Sequence, residues 1–246
     1  MSDQSDNISL PMVEVQQLGI MSYEKAWAYQ QKLQKEGVNA RSHNRKITDE
    51  SKRIKLKNYL LFCQHPHVYT LGKSGSVDHL LLNEEQRAQK KVEYFKINRG
   101  GDITYHGPGQ IVAYPIFDLE QFFTDVHRYV RSLEEVVIST LAEYNIDATR
   151  IKGFTGVWLA GSPNRKICAI GVHMSRWVTL HGFAFNINTD LDYFKHIVPC
   201  GIDEADKTVT SLAAELGRNV DIEEVKSKLL RHFCRIFEFK VVGSRK

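Results

Sequence analysis

Apolar positions along the chain switch between a period of two and a period near 3.6, and the switches outline the elements. Val13, Val15 and Leu18 predict a first strand. Ser22 then caps an amphipathic helix with Ala26, Tyr29 and Leu33 on one face. Residues 37–57 are polar, basic and without period, which predicts an exposed loop. NYLLFC (58–63) and HVYTLG (67–72) predict two strands broken at His65-Pro66, and Val92, Tyr94, Phe95 and Ile97 mark another strand-like run. A strand over 111–117 is followed by a helical pattern over about 125–144 through Val126, Tyr129, Val130, Leu133, Val136, Val137 and Leu141. GVWLA and KICAIGV flank GSPN as a hairpin, and WVTLHGFAFNI continues as a third strand. A last helix over about 221–237 turns Val225, Leu229, Phe233 and Ile236 to the core. No repeat or linker interrupts the series. The pattern predicts a short disordered tail over 1–10 and one α/β (α+β) domain over 11–246. Its centre is a mixed, largely antiparallel sheet with helices packed on it.

Composition narrows the function classes. A chain of 246 residues buries one substantial core. Its charged and apolar fractions are those of a soluble globular protein. No apolar run approaches the roughly 20 residues that span a bilayer. The first residues show neither a basic nor an apolar leader region, so no secretory signal is expected. Cys63, Cys168, Cys200 and Cys234 are widely spaced without a C-x-x-C pair, against a zinc site or a disulfide framework. They fit a reducing cytoplasm. The net charge of +4 comes largely from Lys/Arg clusters at 41–57 and in the final GSRK. Without a basic helix or zinc signature, a nucleic-acid partner is not expected. A basic rim attracting an acidic protein is the remaining use of these clusters.

Residues 99–110, RGGDITYHGPGQ, carry the densest chemistry. Glycines allow backbone to approach a ligand closely, and loops rich in such groups tend to carry function. Three other punctuated segments accompany it: QHPHVYTLGKSG (64–75), RKICAIGVHMSRWVTLHGFAFNI (165–187) and VPCGI (198–202). Cys168 lies two residues beyond Lys166, so strand alternation puts both on one face, and spacing alone leaves Cys168 a rival to Cys200 as a nucleophile. Cys63 and Cys234 read as buried free cysteines.

Together the four segments resemble the lipoyl(octanoyl) transferases (octanoyl-ACP–protein N-octanoyltransferases), and the resemblance runs from about residue 13 to 220. It implies the catalytic-domain fold of lipoate and biotin protein ligases. The implied reaction moves an octanoyl group from acyl carrier protein to a lysine of lipoyl domains of 2-oxoacid dehydrogenases or of glycine-cleavage H protein. The acyl group passes through a thioester on the enzyme's own cysteine, without a cofactor or metal. The nucleophile of the PCGI motif is Cys200, and the lysine opening the K-x-x-x-I-G strand is Lys166. By the same resemblance the acyl pocket takes in Arg99, Gly100, Gly101, Asp102, Ile103, Thr104, Tyr105 and His106. Ala169, Ile170 and Gly171, and Gly182, Phe183 and Ala184, complete it.

Elementary chemistry agrees with those roles. A thiol is mostly protonated at neutral pH, and a nearby ammonium lowers its pKa and can exchange its proton. Burying about seven carbons of an octanoyl tail at about 0.8 kcal/mol each gives roughly 5–6 kcal/mol, enough to reject much shorter chains. His65, His106 and His181 lie in motifs and could either move protons or hold structure. Gln64 stands where the resembled family often has an acidic residue, and 37–57 is longer than usual there. Two alternatives are an ATP-dependent lipoate or biotin ligase on the same fold, and a non-enzymatic scaffold for acyl carrier protein. PCGI, and a glycine loop unlike the G-R-G-R of biotin ligases, argue for the transferase.

Overall fold

The interruption at His65-Pro66 is where the chain leaves one sheet and enters another. The structure, a computed structural model, describes residues 10–198 and 206–245. In chain order its elements are β1 (Met12–Ile20), α1 (Tyr23–Asn44), β2 (Asn58–Gln64), β3 (Val68–Leu71), α2 (Glu84–Gln89), β4 (Glu93–Lys96), β5 (Ile103–His106) and β6 (Gln110–Ile116). After these come α3 (Val126–Ala142), β7 (Thr149–Ile151), β8 (Phe154–Leu159), β9 (Asn164–Ser175), β10 (Val178–Asn186), β11 (Lys207–Val209), α4 (Leu212–Leu216), α5 (Ile222–Phe237) and β12 (Lys240–Arg245). The large sheet runs β12-β1-β2-β6-β10-β9-β8-β7 with β11 beside β9, and β4-β3-β5 form a second sheet of three strands. Pro66 has no N–H to extend the β2 ladder, so the change of sheet falls there.

Alternation along the strands sorts the large sheet into two faces. On one, Ile111, Ala113, Phe183 and Phe185 meet Leu133, Val136 and Val137 of α3 and Leu229 and Phe233 of α5. On the other, Val112, Tyr114, Ile116, Leu180 and Ala184 meet Ala26 and Leu33 of α1. Asp125 caps α3 by accepting from the Arg128 N–H at 3.0 Å. A cap contributes about 1 kcal/mol, whereas each buried Leu, Val or Phe contributes about 1.5–3 kcal/mol. Packing therefore holds these helices more than capping does.

Several elements differ from the sequence expectation. The glycine segment is not all loop, since Ile103–His106 pairs with β3 through Val68↔His106 and Leu71↔Ile103. Val126 is exposed at the N-terminus of α3, where the first turn overhangs the core. Phe237, with Val225, Leu229 and Phe233, fills the buried face of α5, and Ile236 packs at its edge. Cys63 is buried as expected, but Cys234 is only partly so.

The largest correction concerns 37–57. Helix α1 continues to Asn44, and only the remainder is irregular, around a 3-10 turn at Glu50–Lys52. Arg41 closes that helix and is buried, with its guanidinium paired to Asp118 and Glu120. A buried ion pair leaves no trace in an apolar period, which is why this turn reads as loop. Removing one partner of a buried pair typically costs about 3–5 kcal/mol because the other charge is stranded. Arg41→Met should therefore lower the free energy of unfolding in urea by about that much, and pairing it with Asp118→Leu should restore most of the loss. A fall below about 1 kcal/mol would mean the pair behaves as a solvated one.

Candidate active site

A cavity of about 320 Å³ lies between the α1 side of the large sheet and the segment that joins the two sheets. Its floor is made of short side chains. The β9–β10 register pairs Ala169 with Ala184 and Gly171 with Gly182, so four minimal residues occupy one patch of one face. The intervening Ile170 and Phe183 lean into the α3–α5 core and contribute backbone to the floor. A bare floor lets the roof come close. The Gly100 N–H donates to the Val172 carbonyl at 3.0 Å. A Cβ on Gly171 would stand 2.8 Å from the Gly100 carbonyl oxygen and 3.0 Å from Cδ of Arg99, so only glycine allows this approach.

Lys166 reaches this cavity through an irregularity in its strand. Trp158 pairs with Lys166 and the adjacent Val157 pairs with Cys168, leaving Ile167 as an extra residue. Because neighbouring residues face opposite sides of a sheet, one inserted residue exchanges the faces beyond it. The shared face expected for Lys166 and Cys168 is thereby broken. Cys168 is sealed in the core, while Lys166 lines the cavity with its Nζ 4.5 Å from the centroid of the Trp158 ring. Gly156 sits opposite at φ +125°, where a Cβ would stand 2.6 Å from the Cys168 carbonyl oxygen, so the irregularity also requires glycine. Burial pushes the Cys168 thiol well above its ordinary pKa, with the Glu134 carboxylate adding to it, and burial raises Cys63 and Cys234 as well.

Of the residues expected in the pocket, 99–104, His106, 169–171 and 182–184 all line this cavity together with Lys166. Tyr105 does not. Alternation turns it away into the small sheet, where its hydroxyl and Nδ1 of His67 share a hydrogen bond of 2.7 Å and its ring stacks on Tyr193 at 4.9 Å. Cys200 lies outside the described residues, as do Pro199, Gly201 and Ile202. Both flanks of that segment are held at the cavity. The Val198 N–H donates to the His79 carbonyl at 2.8 Å, and the His79 imidazole contacts the Asp102 carboxylate. On the far side Val209 pairs with Lys166, and the Thr210 N–H donates to the Lys166 carbonyl at 2.9 Å. Sequence reasoning missed Tyr23, Gln110, Val112, Tyr114, Phe154 and Asn186, which also line the cavity. Gln110 closes the RGGDITYHGPGQ motif and was within reach; the others are ordinary strand or helix residues with no local signal. Among the described residues, no cluster of three or more His, Cys, Asp or Glu could hold a metal, and no helix is long and apolar enough to cross a membrane.

The family model of the lipoyl protein ligase A/B catalytic domain matches residues 22–234. The chain belongs to that family. It is 56% identical over 229 residues to an octanoyltransferase of Christiangramia forsetii, covering 92% of this chain and 96% of that one. It is 55% identical over 233 residues to an octanoyltransferase of Flavobacterium johnsoniae, covering 94% and 98%. In fold it is similar to a bipartite lipoate protein ligase from Thermoplasma acidophilum, with a TM-score of 0.69 at 18% identity over 96% of this chain and 88% of that one. A lipoate-protein ligase A bound with ATP gives a TM-score of 0.65 at 17% identity, covering 95% and 89%. These likenesses make the chain an acyltransferase of the lipoylation family, with the ligase fold expected from its motifs.

His106 and His181 line the cavity of this acyltransferase, His65 packs against His106, and the hydrogen bonds of all three fix their proton positions. Gln110 Nε2 donates to the Tyr105 carbonyl at 3.1 Å and to Asn186 Oδ1 at 2.9 Å. Its Oε1 is then the acceptor for His106 Nδ1 at 2.8 Å, so that nitrogen bears the proton. His65 donates from Nδ1 to the Met21 carbonyl at 2.7 Å, and its Nε2 accepts from the Tyr114 hydroxyl at 2.8 Å. His181, at φ +62°, donates from Nε2 to Asn98 Oδ1 at 3.0 Å. Burial lowers the pKa of all three, His65 to about 4, His181 to about 3 and His106 well below its ordinary value. The Arg99 guanidinium, which donates to Thr70 Oγ1 at 3.0 Å, pushes His106 and His181 the same way. Such imidazoles are neutral and poor bases at neutral pH.

Their depressed values also shape acid stability. The unfolded chain takes up these protons near pH 6.5, and the folded chain resists until about pH 4 for His65 and about pH 3 for His181. Unfolding thus binds protons across that window. The histidine contribution to stability should be flat above pH 7 and fall below about 6.5 by up to about 1.4 kcal/mol per pH unit for each histidine. Urea midpoints at pH 7.5, 6 and 5 measure this; equal midpoints would contradict the neutral assignment.

Proposed function

We propose that this acyltransferase takes an octanoyl group from acyl carrier protein and passes it, through a thioester on Cys200, to a lysine of a lipoyl domain or of glycine-cleavage H protein. The observation that carries this reading is the meeting of Lys166 with both flanks of the 199–205 segment at one cavity, bordered by Phe194 before it and Val209 after it. Burial keeps Cys63, Cys168 and Cys234 in the thiol form, which supports Cys200 as the nucleophile. The neutral, hydrogen-bonded histidines likewise support Lys166 as the group that exchanges the proton.

In the first half-reaction the Cys200 thiolate attacks the carbonyl carbon of the donor thioester. The carrier's thiolate leaves and takes up a proton, and the Lys166 ammonium favours the anionic nucleophile. One thioester is exchanged for another, so no ATP is consumed. In the second half the acceptor amine attacks the acyl-enzyme, an amide forms, and the thiol of Cys200 is regenerated with the proton the amine gives up. The bare floor formed by Ala169, Gly171, Gly182 and Ala184 receives the alkyl tail. Backbone N–H groups of the roof lie on its opposite side.

Intact mass of the protein mixed with octanoyl carrier protein tests the scheme. Wild type should gain one octanoyl group; Cys200→Ala should gain none and lose transfer, and Cys168→Ala should keep most activity. Lys166→Ala should acylate slowly at neutral pH and partly recover at alkaline pH, where thiolate forms unaided. Transfer from octanoic acid and ATP alone, or octanoate carried by Cys200→Ala, would overturn the reading.

A further inference from the structure

Glu134 of α3 is a wholly buried carboxylate that the acyl-transfer scheme leaves without a role. We propose that it is a positioning residue for Lys166, acting through the backbone of Gly156. This rests on the octanoyl-transfer reading above, in which Lys166 exchanges the proton. Glu134 Oε1 accepts the Gly156 N–H at 3.0 Å, inside the protein. The registers of β8 show why that N–H needs an acceptor from outside the sheet. Pairing with β7 runs through Thr149↔Trp158 and Ile151↔Phe154, and pairing with β9 begins at Val157↔Cys168. Gly156 stands in the gap, where Ile167 is the extra residue on β9. A buried N–H stranded there would be destabilising, and no apolar side chain on α3 could satisfy it.

The Lys166 side chain lies against this glycine. A Cβ built on Gly156 would stand 3.7 Å from Lys166 Cε, and Lys166 Nζ sits 4.5 Å from the ring centroid of Trp158, two residues on. A shift of Gly156 therefore moves the surface that aims the ammonium. The carboxylate itself is fixed. Its Oε2 accepts from Arg131 Nη1 at 2.6 Å and from Arg150 Nε at 2.9 Å. Arg150, on β7, also donates from Nη2 to the Arg131 carbonyl at 3.0 Å and to Glu135 Oε2 at 2.7 Å, so α3 and the β7–β8 pair are clasped around one acid. Cys168 feels both charged groups: burial raises its thiol most, the Glu134 carboxylate raises it further and the Lys166 ammonium lowers it. Holding a helix to a sheet does not require a buried charge, since apolar residues of similar size often serve as well or better. Glu134 instead meets the need of one N–H, at the irregularity that faces Lys166 into the cavity.

The test is the rate at which octanoyl carrier protein loads the enzyme in a single turnover, read by intact mass across neutral and alkaline pH. In Glu134→Gln one oxygen must serve either the arginines or Gly156, because an amide NH2 accepts nothing. Glu134→Asp keeps the charge for the arginines and draws the oxygen back from Gly156 by about 1.5 Å, so it stands in if the glutamine variant does not fold. Either should load at least about fivefold more slowly than wild type at neutral pH and regain part of that loss at alkaline pH, as Lys166→Ala does. Added to Lys166→Ala, either should slow loading by less than about twofold further, because a residue acting through Lys166 then has nothing to position. Glu135→Gln, which breaks only the neighbouring pair to Arg150, should keep the wild-type pH profile. Equal slowing with and without Lys166, an unshifted pH profile, or failure of both Glu134 variants to fold would mark a purely structural acid and overturn the proposal. Loading that Lys166→Ala leaves at the wild-type rate would instead overturn the transfer reading.

Discussion

The roof of the cavity touches its floor at one place, and the site depends on that contact. Gly100 and Gly171 bring two backbones close enough for the Gly100 N–H to reach the Val172 carbonyl. A side chain at Gly171 would meet the Gly100 carbonyl oxygen and Cδ of Arg99 and hold the 99–102 segment away. Once closed, the space is apolar over its floor and polar only at chosen points. An apolar floor and a low-dielectric setting for Lys166 then come from one geometric condition.

The same economy governs the polar lining. Arg99 is anchored to Thr70, whose hydroxyl also lies 3.4 Å from His106 Nε2. His106 is tied through Gln110 to Asn186, and Asn186 Nδ2 donates to the Thr210 carbonyl at 2.9 Å. Thr210 in turn bonds the backbone of Lys166. A single chain of hydrogen bonds therefore runs from the glycine segment beneath the cavity to the strand that carries the lysine. Networks of this kind are rigid when every member is satisfied. The cost is three histidines that are kept neutral, and hence an acid-sensitive core.

Much of this was legible in the residues. Period-two and period-3.6 patterns foretold β2, β6, β9, β10, α3 and α5, because each buries an apolar face and burial is what the period records. The motif segments foretold most of the cavity lining, since glycines, prolines and clustered polar groups are local requirements of close backbone approach. Arg41 and the last turns of α1 were missed because an ion pair with Asp118, 77 residues away, has no local pattern. Tyr105 was misplaced because a motif names a segment, whereas strand alternation decides which of its side chains face the site.

What the sequence by itself determined was the family, its acyl-transfer class and the motif segments that come to line the cavity, since residue types and motif spacings carry those directly. Only the tertiary structure decided which face each group took. One extra residue at Ile167 turns Lys166 toward the cavity and leaves Cys168 in the core, and that exchange depends on pairing with β8, not on anything within β9. Tyr23 and Tyr114 came to line the cavity for the same reason. Their roles arise from strands and a helix far apart in the chain meeting across one sheet face, and no local preference encodes a meeting.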